Sequence, residues 1–269
     1  MKSPLRWHMA DAPWQQLQPE LIRDSPEWRY MICVASFVEI TTDLYTRSLV
    51  GHFAGDDVVC AWLRDEWDPQ EMQHGQALRE YVRRVWPDFD WDSSYRDFYT
   101  EFEPLSGPDN LLPRRSLEMI GRCVVEMGTS SYYTALHRAT DEPVLKWLTR
   151  HIYEDEVAHY KHFLRYFNRY REREGVTRWD VAMTLWHRLR EIDSEDSYVS
   201  IKHVHAAVAP GQRFDPHVYK QIVRRCRHIA SRHVPRRMAA KMLLRPLDVP
   251  PRAQRLLVPA LAEVARWVA

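Results

Sequence analysis

The feature that most constrains the fold is a repeated arrangement of glutamate and histidine. Glu71-Met-Gln-His74 and Glu156-Val-Ala-His159 are the two Glu-x-x-His words of the chain. Each follows a glutamate that stands alone among apolar residues: Glu39 precedes the first word by 32 positions, and Glu126 precedes the second by 30. An unpaired carboxylate is costly in apolar surroundings. The sequence therefore predicts that these acids meet a compensating partner inside the fold.

Prolines, glycines and capping residues divide the chain into helical segments. Ser25-Pro26-Glu27 combines a capping hydroxyl, a proline at the first helical position and an early acid, which favours a helix start. Glycine is scarce, with eight in 269 residues, and no long alternation of polar and apolar residues predicts a strand. The expected class is all-α. The predicted helices cover residues 28–52, 56–86 with a kink or division at Asp68-Pro69, 114–139, 141–174, 178–193, 197–207, 216–233, 235–244 and 251–268, with a long connection over 87–113.

The spacing of the glutamates suits helical hairpins. A helix rises about 1.5 Å per residue, so residues 30 to 32 positions apart lie level after roughly sixteen residues up and sixteen back. Within each Glu-x-x-His word the carboxylate and the imidazole share one helix face. We therefore expect four carboxylates and two imidazoles in a four-helix core, where the acids would repel one another unless cations were bound. Ferritin-like bundles hold two iron or manganese ions with this set of ligands.

The residues around the two words resemble those of the soluble acyl-acyl-carrier-protein desaturases of the ferritin-like superfamily, over about residues 28–167. That family's second-helix pattern, W-x-x-E-E-x-x-H-G, corresponds here to the stretch from Trp67 to Gly75. Its fourth-helix pattern, D-E-x-x-H, corresponds to the stretch from Asp155 to His159. Its third-helix glutamate is followed three residues later by a threonine, as Glu126 is followed by Thr129.

The chain departs from the family pattern at two positions and in length. Gln70 replaces the acid that precedes the second-helix ligand, and Pro69 should open the helix locally. The chain is also shorter than the plant desaturases, so the part that shapes their substrate site is reduced or replaced. These differences leave the substrate open.

The resemblance implies a ferritin-like four-helix bundle with a di-metal centre over residues 1–175, and a C-terminal helical extension over residues 176–269 packed on it as one domain. It implies two irons, with manganese possible in one position, and O2 as co-substrate. Glu71 and Glu156 would be the bridging carboxylates. The implied metal ligands are Glu39, Glu71, His74, Glu126, Glu156 and His159.

The resemblance also implies roles for residues beside the ligands. Thr129 would donate a hydrogen bond to the oxygen intermediate or its protons. Asp155 and Trp67 would lie on a path for electrons, or beside a histidine ligand. The implied activity is that of a non-haem di-iron oxidase that desaturates or hydroxylates an acyl chain bound to a carrier protein, with an external ferredoxin-like electron donor.

Other functions of similar chemistry remain open at this stage. One is a ferritin-like iron-binding protein with ferroxidase activity. Another is a di-iron monooxygenase that acts on tRNA or on a small metabolite, including by N-oxygenation. Arylamine N-oxygenases carry a third histidine one turn before the fourth-helix glutamate, and that position is Ile152 here. This difference disfavours N-oxygenation.

The net charge of +1 conceals a basic region over residues 220–256, where eleven lysines and arginines face one acid, Asp248. Such a region predicts docking of an acidic partner, for which acyl carrier protein, an acidic ferredoxin and tRNA all qualify by charge, unless it is only a solvated helical face. The stretch Met31–Val38, apolar except for Ser36, is too short for a membrane span. The four cysteines are far apart and form no CxxC pair, which favours a reducing compartment. We expect a cytoplasmic homodimer with no membrane contact.

Overall fold

The computed structural model describes residues 4–190 and 195–268, with no side-chain detail for Glu195 and residues 264–268. Within these ranges the chain is helical and contains no strand, which confirms the all-α class. No helix among the described residues combines the length and apolar character needed to cross a bilayer. The α-helices are α1 (Pro26–Ile40), α2 (Thr42–His52), α3 (Asp57–Trp62), α4 (Asp68–Val85), α5 (Trp91–Phe102), α6 (Arg115–Ala139), α7 (Pro143–Glu174), α8 (Arg178–Arg190), α9 (Glu195–Val208), α10 (Pro216–Ala230), α11 (Arg236–Leu244) and α12 (Pro251–Val268).

The predicted helix over residues 28–52 is two helices, separated at Thr41. The Thr41 hydroxyl donates to the carbonyl of Phe37 (2.6 Å), and the Thr42 hydroxyl donates to the carbonyl of Glu39 (2.7 Å). These carbonyls are the acceptors that the next turn of a continuous helix would use. Competition from the two hydroxyls therefore ends α1 just after Glu39.

The expected opening at Asp68-Pro69 is confirmed. A π-helical segment, Leu63–Trp67, separates α3 from α4, and the Asp68 N–H donates to the carbonyl of Leu63, five residues earlier. Proline lacks an N–H, so Pro69 leaves the preceding turn without one of its usual α-helical bonds. The wider i to i+5 spacing is typical of such a local insertion in a helix.

The predicted long connection over residues 87–113 is wrong for its central part, which forms α5. Asp90 caps this helix by accepting a hydrogen bond from the Ser93 N–H (3.1 Å). Trp91, Phe98 and Phe102 are buried on one face of α5. A capping acid and apolar residues at helical spacing thus outweighed the polar and acidic character of the stretch.

The described chain separates into two compact units. The first contains residues 4–110, 140–148 and 195–229, and in it α1 packs along α4 while α9 packs on α1 and α5. An aromatic cluster fills its core, with the ring centroids of Phe37 and Trp91 5.4 Å apart and those of Phe37 and Phe98 5.5 Å apart.

The second unit contains residues 111–139, 149–190 and 230–268. Here α6 packs on α8 and α11, and α11 packs on α12. Ala240, Leu244 and Val258 form a small buried core between α11 and α12. Beside it, the Tyr160 hydroxyl on α7 donates to the carbonyl of Met242 (2.6 Å).

Candidate metal centre

The first unit contains a buried triad of Glu39, Glu71 and His74. Glu39 lies in the last turn of α1, whereas Glu71 and His74 lie three residues apart on α4. His74 Nδ1 is 3.2 Å from Glu71 Oε2 and 3.8 Å from Glu39 Oε2. One ligand atom from each of the three side chains lies within 4.8 Å of the others, so the triad could hold a metal ion.

Gly75 brings α1 close enough to α4 for this triad to form. A Cβ atom at position 75 would lie 2.4 Å from the backbone nitrogen of Ile40 and 2.6 Å from its Cα. No side chain fits at such distances, so only glycine permits the approach. Because Ile40 follows Glu39 and Gly75 follows His74, this close approach of the helices lies beside the triad.

The second unit contains a triad of the same composition: Glu126 on α6, and Glu156 and His159 on α7. His159 Nδ1 is 3.5 Å from Glu126 Oε2, and the three residues are at least 98% buried. Their ligand atoms also lie within 4.8 Å of one another. This triad could likewise hold a metal ion.

Thr129, half-buried one turn after Glu126, contacts the second triad. Its hydroxyl donates to Glu156 Oε2 at 2.5 Å. The carbonyl oxygens of Val125 and Glu126 are farther away, at 3.2 and 3.3 Å. A hydroxyl has one proton to donate, and the shorter, charge-assisted bond goes to the carboxylate. Thr129 therefore fixes one oxygen of Glu156.

Trp67 and Asp155 are buried, and each lies close in sequence to one of the two triads. Trp67 ends the π-helical segment before α4, and Asp155 precedes Glu156 on α7. Their exposed fractions are 5% and 1%. The electron-path and histidine-supporting roles suggested for them remain predictions.

Trp7 contacts the first triad and was not expected from the sequence. Its ring lies nearly parallel to that of His74, with an interplanar angle of 5° and centroids 6.0 Å apart. It also lies edge-on to Trp147, with ring centroids 5.5 Å apart. Trp7 stands 67 positions before His74 in a segment without helical periodicity, so no spacing rule could have paired the two rings.

Cys33 on α1 and Cys123 on α6 are both buried. They precede Glu39 and Glu126 in sequence by six and three residues. Burial raises the pKa of both thiols well above the usual value. A thiol that stays protonated is a poor metal ligand and a poor nucleophile. Both cysteines therefore behave as small apolar core residues.

The donor set restricts the chemistry available. Together the triads offer four carboxylates and two imidazoles, all buried. Like charges so close in a dry interior must be protonated or neutralised by cations. Mixed carboxylate and imidazole ligands suit iron and manganese better than softer metals. No protein-family model matches the chain, and no curated protein is significantly similar in sequence.

Proposed function

We propose that this chain is a non-haem di-iron, oxygen-dependent oxidase that desaturates or hydroxylates an acyl chain. One observation supports this most strongly: each unit buries a triad of two glutamates and one histidine whose ligand atoms lie close enough together to hold a metal ion. Two triads of this kind supply four carboxylates and two imidazoles, the ligand set of a two-metal centre.

The charges support a pair of divalent ions. Four carboxylates carry four negative charges, two divalent ions carry four positive charges, and the two imidazoles bind as neutral ligands. The buried cluster is then neutral overall, which removes most of the cost of burying the acids. Such an iron pair would supply the activation of O2 and the removal of hydrogen from an unactivated carbon.

The residues of the chain have separate tasks in this proposal. Glu71 and Glu156 would be the carboxylates shared by the two ions, as the resemblance implies, while Glu39 and Glu126 would each hold one ion. Thr129 keeps one oxygen of Glu156 hydrogen-bonded and holds a proton at its Oγ1, beside the cluster. The apolar helix faces around the acids exclude water from the site.

The wider context belongs to the same proposal: a ferritin-like four-helix bundle, a cytoplasmic homodimer, a ferredoxin-like electron donor and a substrate bound to acyl carrier protein. Exposed Arg224 and Arg227 on α10 support docking of an acidic carrier. Between them, Arg225 Nε donates to Glu27 at 2.7 Å. Charge reversal at Arg224 and Arg227 alone should weaken carrier binding, measured by titration calorimetry, without breaking that ion pair.

Metal content provides the first test. We expect about two irons per chain after anaerobic loading, and a large loss of iron in Glu71→Ala and in Glu156→Ala, measured by atomic emission. The matched controls are Glu80→Ala on α4 and Glu154→Ala on α7, which remove partly exposed acids of the same helices. Wild-type iron content in both ligand variants would refute the metal site.

Turnover separates the proposed oxidase from the alternatives. Acyl carrier protein should stimulate oxygen consumption that depends on added reductant, and product chains should lose two hydrogens or gain one oxygen by mass spectrometry. A ferroxidase would instead consume oxygen only with added ferrous iron and no organic substrate. Stimulation by tRNA and not by acyl carrier protein would point to the tRNA-modifying alternative.

A further inference from the structure

The segment before α1, residues 4–23, is attached along the length of α4. We call it the strap. Successive residues of the strap contact successive positions on α4 and at the end of that helix, so the strap runs in the same direction as α4. The contacts are Gln70 Nε2 to the Pro4 carbonyl (2.5 Å), Trp7 on His74, the Arg84 guanidinium over the Trp14 ring (4.5 Å), Arg23 Nε to the Val85 carbonyl (2.9 Å) and Trp86 Nε1 to the Arg23 carbonyl (2.9 Å).

Within the strap, Trp7 lies against the side chain of a candidate metal ligand, His74. It is 94% buried, and the His74 side chain beside it has no exposure to solvent. The indole plane is nearly parallel to the imidazole plane, with the centroids 6.0 Å apart, and Trp147 packs edge-on against the indole. An offset parallel arrangement of this kind is a favourable geometry for two rings.

We propose that Trp7 is a positioning residue for His74, an inference that rests on the proposed metal site. The torsion that turns an imidazole about its Cβ–Cγ bond has broad minima, so the rotamer alone does not fix the ring plane. Glu71 and Glu39 constrain the edge of the ring near Nδ1. Trp7 constrains its face. The strap thereby holds the ligand nitrogens in one direction and covers His74 against water, which slows release of a bound metal.

Cobalt release tests the inference, because Co2+ bound by imidazole and carboxylate has visible absorption bands. The protein is loaded with Co2+ and mixed with excess EDTA. We expect Trp7→Leu, which keeps an apolar side chain but loses the ring, to release Co2+ about tenfold faster, in line with other groups that orient metal ligands. Its absorption bands should shift. Trp7→Phe, which restores a ring, should behave like the wild type.

Trp14→Leu is the matched control, since it removes an indole from the same strap at a site that contacts Arg84 rather than His74. Its release rate should remain that of the wild type. If Trp7→Leu releases Co2+ at the wild-type rate with unchanged bands, the inference is wrong although the metal site stands. Equal acceleration in Trp14→Leu would also overturn it, because the effect would then be general loosening of the strap.

A metal-free measurement separates this inference from the proposed function. The measurement is NMR of the metal-free protein with labelled histidine, in which His74→Gln identifies the signals of the His74 ring protons. Loss of the indole ring current in Trp7→Leu should change the chemical shifts of these protons. If the wild type binds no metal, the proposed function fails, and these shifts still decide whether Trp7 orders the imidazole. Unchanged His74 shifts would refute the positioning role.

Discussion

At the scale of single residues, Gly75 shows how one missing side chain determines the position of others. The approach of α4 to the Ile40 backbone is too close for any Cβ atom, and it lies next to both Glu39 and His74. Gly51, on α2, is also helical but has open space around it. The two glycines therefore provide a test of the close approach itself.

We expect Gly75→Ala to destabilise the protein by about 2 kcal/mol or more, because the new methyl group must push α1 and α4 apart. Gly51→Ala should instead be neutral or stabilising by about 0.5–1 kcal/mol, the ordinary gain of alanine over glycine in a helix. Urea denaturation of the metal-free variants measures both effects, and iron binding should fall in Gly75→Ala. Equal stabilities of the two variants would contradict this account of Gly75.

The six candidate ligand positions could be inferred from the sequence because helical periodicity is local and regular. Spacings of three residues within a helix and about thirty across a hairpin are enough to bring side chains of known type together. The contact of Trp7 with His74 could not be inferred in this way. It depends on the path of a segment that forms only short 3-10 helices, and that path is decided by tertiary contacts such as Gln70 with Pro4.

At the scale of elements, α9 is held in the first unit by groups that titrate. The Tyr30 hydroxyl of α1 hydrogen-bonds His205 Nδ1 at 2.8 Å. Burial lowers the pKa of His205. On α5, Glu101 bonds Lys202 Nζ (2.7 Å) and His203 Nε2 (2.8 Å). Burial raises the pKa of Glu101, but the hydrogen bonds from Lys202 and His203 outweigh it and leave the pKa below its usual value.

Acid should therefore weaken the attachment of α9 in two stages. As the pH is lowered, His205 takes up a proton near pH 6.5 in the unfolded chain but only at lower pH in the folded chain. The free energy of unfolding therefore falls as the pH drops below about 6.5. The contribution of Glu101 is lost at lower pH, below about 4.5, as its carboxylate is protonated.

Urea midpoints at pH 7.5 and 5.5 measure the first stage. The midpoint should be lower at pH 5.5 in the wild type, and His205→Gln should reduce this difference. His228→Gln, at an exposed histidine of α10, should leave the difference unchanged. The reasoning fails if His205→Gln and the wild type respond equally to pH.

Helix bounds that prolines mark were predicted well, whereas a helix end caused by competing side-chain hydrogen bonds was not. The predicted bounds of α6 and α7 agree with the structure to within about two residues, because prolines and apolar periodicity mark both. The break at Thr41 was missed, since threonine hydroxyls bond to the backbone only in certain rotamers. Helix α5 was not predicted, because the acidic residues of its exposed face obscure the helical spacing of its buried aromatic residues.

At the scale of the whole molecule, the proposed metal pair would contribute to folding itself. Without cations, a native chain must bury four carboxylates together, which disfavours the folded state near neutral pH. A ligand that binds only the folded chain stabilises it by about 2.7 kcal/mol at 100 times its dissociation constant. Metal binding should therefore be visible as a change in thermal stability.

We expect Co2+ or Fe2+ to raise the Tm markedly, and Mg2+ at equal ionic strength to raise it much less, because imidazole ligands favour the transition metals. In Glu71→Ala most of the rise should disappear, while Glu80→Ala should keep it. Differential scanning calorimetry under anaerobic conditions gives the measurement. Equal shifts with Mg2+ and Co2+ would indicate general screening of charge rather than a specific site.

One contact of the first unit has a consequence for the order of events during synthesis. Glu27, at the start of α1, pairs with Arg225 on α10, 198 positions later. The last candidate ligand, His159, leaves the ribosome well before Arg225 does. At 5–20 residues per second this interval lasts roughly 3–13 s. During those seconds every candidate ligand is already synthesised, but Arg225 is not yet available to pair with Glu27. The growing chain therefore meets cellular metal ions before this contact of α1 has formed.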